Sequence, residues 1–295
     1  MSVASKLAEL HPRRFFLEAW KALDNEAAAL REERRAAGLG YDYRPLWALA
    51  AGAVFLTLME YFGMPHTFRR IVEWLAEGEE AGGFYSGFLP QIGQPHHPYW
   101  EFANHAYWAI WRVLGFFLLP LVVIRLSGER VRDQFLGTEG FRSKLWIYLL
   151  SFLVVFVCVV AVSFTEGFQT YYPFYKLSHR SWSDFLAWEL LYLAQFFSLE
   201  FFFRGWWLRA CRSMGSAAIF AMTVPYVMIH YGKEFPETLG AIFAGIFLGT
   251  LAMRTKSIWG GFLVHSLVAV SMDVASLMQT RGLPSTFLPV LDAVQ

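Results

Sequence analysis

The sequence predicts an all-α polytopic membrane helix bundle of about seven spans, and three observations predict it. Hydrophobic residues make up 56% of the 295 and charged residues only 17%, with a mean hydropathy of +0.37. The 12 Trp, 13 Tyr and 29 Phe exceed the aromatic bulk that a soluble core of this size needs. Apolar stretches long enough to cross a bilayer recur along the chain. The only cysteines, Cys158 and Cys211, lie in apolar surroundings, which excludes a disulfide scaffold. A formal net charge of +1 offers no general attraction to nucleic acid, so none is expected as a partner. No stretch combines a charged start, a short apolar run and a small-residue cleavage site, so no cleaved leader is expected.

The expected spans are Leu46–Gly63, Tyr99–Leu126, Leu145–Phe164, Phe185–Arg212, Met214–Tyr231, Thr238–Met253 and Ile258–Met278. The third is the most uniformly apolar. The second carries Arg112, and the fourth carries Glu189, Glu200 and Arg204. In the sixth, Ala241, Gly245 and Gly249 recur every four residues, a pattern that lets helices approach closely in lipid. With the N-terminus placed inside, 17 Lys and Arg fall on the cytoplasmic side and 6 outside. That asymmetry predicts a cytoplasmic N-terminus and an outer C-terminus.

Residues 1–45 are expected as a cytoplasmic amphipathic segment. There Phe15, Phe16, Trp20 and Leu23 form an apolar stripe suited to the membrane surface. Residues 46–278 form the transmembrane helical domain, and 279–295 an extracytoplasmic tail. Residues 64–98 read as a Gly/Pro-rich loop containing His66, His96 and His97, with no carboxylate or thiolate at ligand spacing. Residues 165–184 read as an aromatic interfacial loop. Glu60 and Arg112 are expected to pair between the first two spans.

Ionisable groups are costly in the hydrocarbon zone, so each one inside a span is a candidate functional group. Glu200 and Arg204, four apart, share a helical face and can pair. Tyr226 and His230 share a face beyond Pro225, and His265, Ala269 and Asp273 follow at four-residue steps on the last span. Glu200 lies 14 residues before Met214, and His230 lies 15 after Gly215. At about 1.5 Å rise per residue, both stand about 21–23 Å from the turn between their helices. A carboxylate beside imidazoles can take a proton from water and direct it at a peptide carbonyl, while imidazoles donate to the oxyanion. Zinc held by Glu200, His230 and His265 is the less favoured alternative, because no His-Glu-x-x-His helix is present.

The order Glu200-Phe-Phe-Phe-Arg204-Gly205, Tyr226 to His230, Pro236-Glu237, and Ser257-Ile258-Trp259 before His265 resembles the CAAX-protease and bacteriocin-processing (CPBP or Abi) family of intramembrane endopeptidases. The resemblance covers residues 145–278. It implies a peptidase without a cofactor, acting on a protein or peptide with a membrane-associated segment, in the lipid bilayer of a bacterial inner membrane. It implies Glu200 as base, His230 and His265 as oxyanion donors, and Arg204 as the anchor of Glu200. Asp273, Glu237 and Tyr226 would be auxiliary. The first Glu of the family motif falls on Leu199 and its Asn on Ala269. Asp273, one turn beyond Ala269, is the expected substitute. A non-catalytic scaffold or immunity factor is the alternative that these two departures raise. The chain also resembles the myxosortase type, which is proposed to process C-terminal sorting signals. A proton-relay transporter is disfavoured by the lack of an inverted repeat.

Overall fold

The computed structural model describes residues 8–80 and 97–290, so His96 lies outside the described residues. The described chain is helical. Among these residues the only β-type pairing is an isolated bridge between Leu136 and Ser257. A π-helical turn at Arg13–Glu18 leads into α1, Ala19–Ala36. Next come α2, Arg44–Phe62; α3, Pro65–Glu80; and α4, Trp100–Leu126. They are followed by α5, Glu139–Val162; α6, Glu166–Tyr171; and α7, Trp182–Ala210. The last three are α8, Ala217–Met228; α9, Phe235–Thr255; and α10, Trp259–Gln279.

Six of these, α2, α4, α5, α7, α9 and α10, are long and apolar enough to cross a membrane, so the chain is a multi-pass membrane protein. The fifth expected span is shorter than its apolar run. The helix α8 has 12 residues, about 18 Å, against about 30 Å of hydrocarbon. Gly215 at φ +63 delays its start, and the chain leaves the helix before Gly232 at φ +90. The sixth is longer than expected: Pro236 sits in its first turn, where no N–H is required, and left-handed Lys256 ends it. The Gly/Pro-rich loop expected from residue 64 begins with α3 instead. Its Phe68 and Val72 are buried, and the Phe68 ring packs on Trp100 and Tyr107 at 5.5 and 5.1 Å.

The chain divides into two compact units. The first comprises residues 1–53, 120–149 and 200–263. Here the N-terminal apolar stripe covers protein. Phe15 stacks on Phe247 at 4.8 Å, and the Trp20 indole N–H donates to Thr250 Oγ1 at 3.0 Å. Asp24 accepts from the backbone N–H of Ser216 at 2.7 Å, at the start of α8. The small-residue stripe of α9 lies against α8. A Cβ on Gly245 would press on Thr223 and Tyr226, and one on Gly249 would press on Met222 and Ile219.

The second unit comprises residues 54–119, 150–199 and 264–295. Its core is aromatic: Tyr175, Trp188 and Tyr192 pack around Ala269. The connection after α6 is held by a fork from Arg180 onto Asp184 and by the Tyr175 hydroxyl donating to the same carboxylate at 3.0 Å. Arg112 lies over the Trp108 and Phe116 rings at 5.6 and 5.8 Å, within the field of Glu60.

Phe15 is 2% exposed, so Phe15→Ala removes a buried ring at a cost of about 3 kcal/mol or more. Hydrogen exchange is expected to rise across residues 13–36 while α5 keeps its protection. Unchanged exchange across 13–36 would contradict the docking of α1.

Candidate active site

Glu200 stands where the α-helical part of α7 gives way to a π-helical segment, Phe201–Trp207. A π turn widens the helix, and such insertions gather at functional sites. Arg204 Nη1 donates to Glu200 Oε1 at 3.0 Å, and both side chains are fully buried. Burying either charge alone would cost several kcal/mol, so each stabilises the other's presence. Tyr226 covers one face of the guanidinium, with the Arg204 Cζ 4.0 Å from the ring centroid.

The next helix adds an imidazole. His230 packs edge-on against Tyr226, with ring centroids 4.8 Å apart. Its Nδ1 lies 2.8 Å from the Tyr226 carbonyl. A carbonyl only accepts, so Nδ1 carries a proton, and Nε2 is an acceptor in the neutral ring and a donor in the imidazolium. The Thr238 hydroxyl donates to the His230 carbonyl at 2.9 Å, which ties the end of α8 to the start of α9. Glu237, one residue earlier, forms an ion pair with Lys233.

The start of α10 explains how the buried carboxylate is housed. The Ile258 N–H donates to Phe135 O at 2.9 Å, the Ser257 hydroxyl to Gly137 O at 2.5 Å, and the Trp259 indole to Leu136 O at 2.9 Å. These bonds fix where Gly260 and Gly261 lie. A Cβ on Gly260 would overlap the Tyr148 ring, and one on Gly261 would overlap Glu200 Oε2. The Gly260-Gly261 pair therefore makes room for a phenol and a carboxylate side by side. Tyr148 adds a 3.4 Å contact from its hydroxyl to Thr255 Oγ1.

Thus Glu200, Arg204, Tyr226, His230 and Glu237 belong to the first unit. His265 and Asp273 belong to the second. There His265 stacks on Phe196 with centroids 5.6 Å apart and planes 3° from parallel. Asp273 is fully buried and accepts from the Trp188 indole at 2.8 Å. Its acidic neighbour is Glu189, which is 5% exposed. Ala269, at the family's Asn position, packs within the aromatic cluster of Tyr175, Trp188 and Tyr192.

Tyr148, Gly260, Gly261 and Trp188 were not among the residues singled out by pattern, and Glu189 had no role beyond lying in a span. Two adjacent glycines opening the last span were the available signal. Among the described residues, no three of His, Cys, Asp and Glu gather as a metal-ligand set. His66 is exposed, and His97 Nδ1 accepts from the Tyr99 backbone N–H at 3.2 Å. A cavity of about 550 Å³ in the first unit is lined by Glu9, Arg14, Glu18, Glu26, Arg254 and Lys256, among others, and includes neither Glu200 nor His230.

Residues 180–271 match the family model described as Type II CAAX prenyl endopeptidase Rce1-like. No curated protein and no solved structure matches the chain. The matched stretch contains Glu200, Arg204, Tyr226, His230, Glu237 and His265, and it ends before Asp273. It gives nothing to the narrower myxosortase resemblance. Residues 180–271 of this multi-pass membrane chain are thus similar to the Rce1-like type II CAAX prenyl endopeptidases.

Proposed function

We propose that the chain is an intramembrane endopeptidase in which Glu200 activates water against a peptide bond of a membrane-associated polypeptide. The observation that carries this reading is the fully buried Glu200–Arg204 pair, set in a π-helical segment and given room by Gly261. A carboxylate maintained at that cost in a membrane bundle fits a proton-transfer role.

In this reading Glu200 takes a proton from water as the water oxygen bonds to the carbonyl carbon. The carbonyl π pair moves onto oxygen. The tetrahedral species collapses as its C–N bond breaks, and the proton on Glu200 passes to the departing nitrogen. Arg204 Nη1 holds the carboxylate in place throughout. The donor role expected for His230 belongs to its imidazolium form, because Nδ1–H is engaged by the Tyr226 carbonyl. Glu237 and Tyr226 are auxiliary, the one through Lys233 and the other as a wall against Arg204 and His230. The roles expected of His265 as an oxyanion donor and of Asp273 as an auxiliary group stay as the resemblance implies them.

The excess of basic residues in the N-terminal and alternate loops supports a cytoplasmic N-terminus and an outer C-terminus, and the resemblance implies a bacterial inner membrane. The description of the matched family supplies a probe, a reporter peptide with a prenylated CAAX tail, presented to the protein in proteoliposomes. Glu200→Gln is expected to lower kcat by roughly 10²- to 10⁴-fold. The double variant Glu200→Gln/Arg204→Gln removes both buried charges. It should unfold close to the wild-type temperature in detergent and remain inactive. Wild-type turnover in either variant would remove Glu200 from the mechanism.

Gly261→Ala drives a methyl into Glu200 Oε2, an overpacking expected to cost about 1–3 kcal/mol. A lowered Tm together with at least tenfold slower cleavage is the expected result. A variant matching wild type in both would contradict the close approach of α10 to Glu200.

A further inference from the structure

The buried guanidinium of Arg204 has more donors than its known partners use. Its Nη1 bonds to Glu200, but Nε and Nη2 are both buried and, among the described residues, neither meets an acceptor in hydrogen-bond geometry. The whole residue is 0% exposed. These two nitrogens are not a random pair. In a planar guanidinium, Nε–H and one Nη2–H lie along a single edge and point the same way, the fork that receives two oxygens, or one shared oxygen, side-on. The Tyr226 ring covers one face of the group at 4.0 Å, so an acceptor meets this edge in the guanidinium plane. Two parallel donors, buried and unmatched, call for an anionic or strongly polarised oxygen.

The proposed reaction makes such an oxygen, and two groups that would donate to it in the family are missing or engaged. The family's Asn position is Ala269, which has no polar atom, and His230 Nδ1–H is engaged by a backbone carbonyl. We infer that the Nε/Nη2 edge of Arg204 is the oxyanion donor of this centre, so that one guanidinium holds the base through Nη1 and receives the carbonyl oxygen along its other edge. The inference rests on the endopeptidase reading of Glu200. The carbonyl oxygen becomes negative only as water adds, and a fixed cation in a dry site favours that state over the neutral amide. No proton leaves Arg204 at any step. Its charge balances Glu200 before attack and the oxyanion afterwards, when Glu200 is protonated.

Arg204→Lys separates the two roles. Lysine retains a positive charge for Glu200 but has no side-on fork. With the prenylated reporter in proteoliposomes, kcat is expected to fall about 10²- to 10³-fold, with KM within about threefold and a near-native Tm. A peptidyl phosphonate, a tetrahedral anion, is expected to raise the Tm of the wild type but not of Arg204→Lys. If the wild type cleaves and Arg204→Lys retains its kcat, the oxyanion role is overturned and the endopeptidase reading stands. If the wild type does not cleave but binds the phosphonate through Arg204, the fork is supported as an anion site and the endopeptidase reading falls. If the wild type neither cleaves nor binds, both fall. Should Arg204→Lys fail to fold, wild type labelled with [15N]arginine supplies the reading. One arginine Nε–H resonance should shift with the phosphonate, and no shift overturns the inference.

Discussion

A carboxylate and a guanidinium buried together inside an apolar bundle set the terms for everything around them. Neither Glu200 nor Arg204 is tolerable alone at that depth, so the two must stay within hydrogen-bond reach. The π-helical segment, the glycine at position 261 and the ring of Tyr226 all follow from that requirement. The first widens the helix beside the pair, the second admits the carboxylate, and the third covers the cation. The anchoring of residues 257–259 to residues 135–137 then holds the glycine in place. Chemistry and packing share these residues, so substitutions here are expected to move stability and turnover together. Double variants and KM-against-kcat splits separate the two effects.

Helix identity was legible wherever an apolar run was long, because length against bilayer thickness is a strong physical signal. Boundaries were less so. The apolar run from Met214 to Tyr231 is continuous, yet α8 covers only its middle, since Gly215 and Gly232 take backbone angles outside the helix. In the stretch after residue 64, the glycines and prolines farther along masked the amphipathic pattern of α3. The N-terminal stripe shows a different limit. Periodicity tells that Phe15, Trp20 and Leu23 share a face to be covered, but not by what. In the structure the cover is protein: Phe247, Thr250 and Phe220.

The same contrast runs through the site. Glu200 and Arg204 stood out because charges inside an apolar span are rare and their spacing of four lets them meet. Tyr226 and His230 were legible for the same reason of spacing. Gly261 was not, because its role arises only where a second helix comes close. The engagement of His230 Nδ1 by a backbone carbonyl was equally invisible, and it changes the role that ring can take. In the second unit, Asp273 was singled out by its step from Ala269, but its bond to the Trp188 indole and its acidic neighbour Glu189 come from a different helix.

That Glu200 stands as an ionised base beside Arg204 is the claim on which the rest turns, and infrared difference spectroscopy reads it directly. Spectra of the wild type minus Glu200→Gln, recorded in proteoliposomes at neutral pH, should contain the stretch of an ionised carboxylate. The stretch of a protonated carboxylic acid in its place would contradict the account, because such a group has no capacity to take a proton from water.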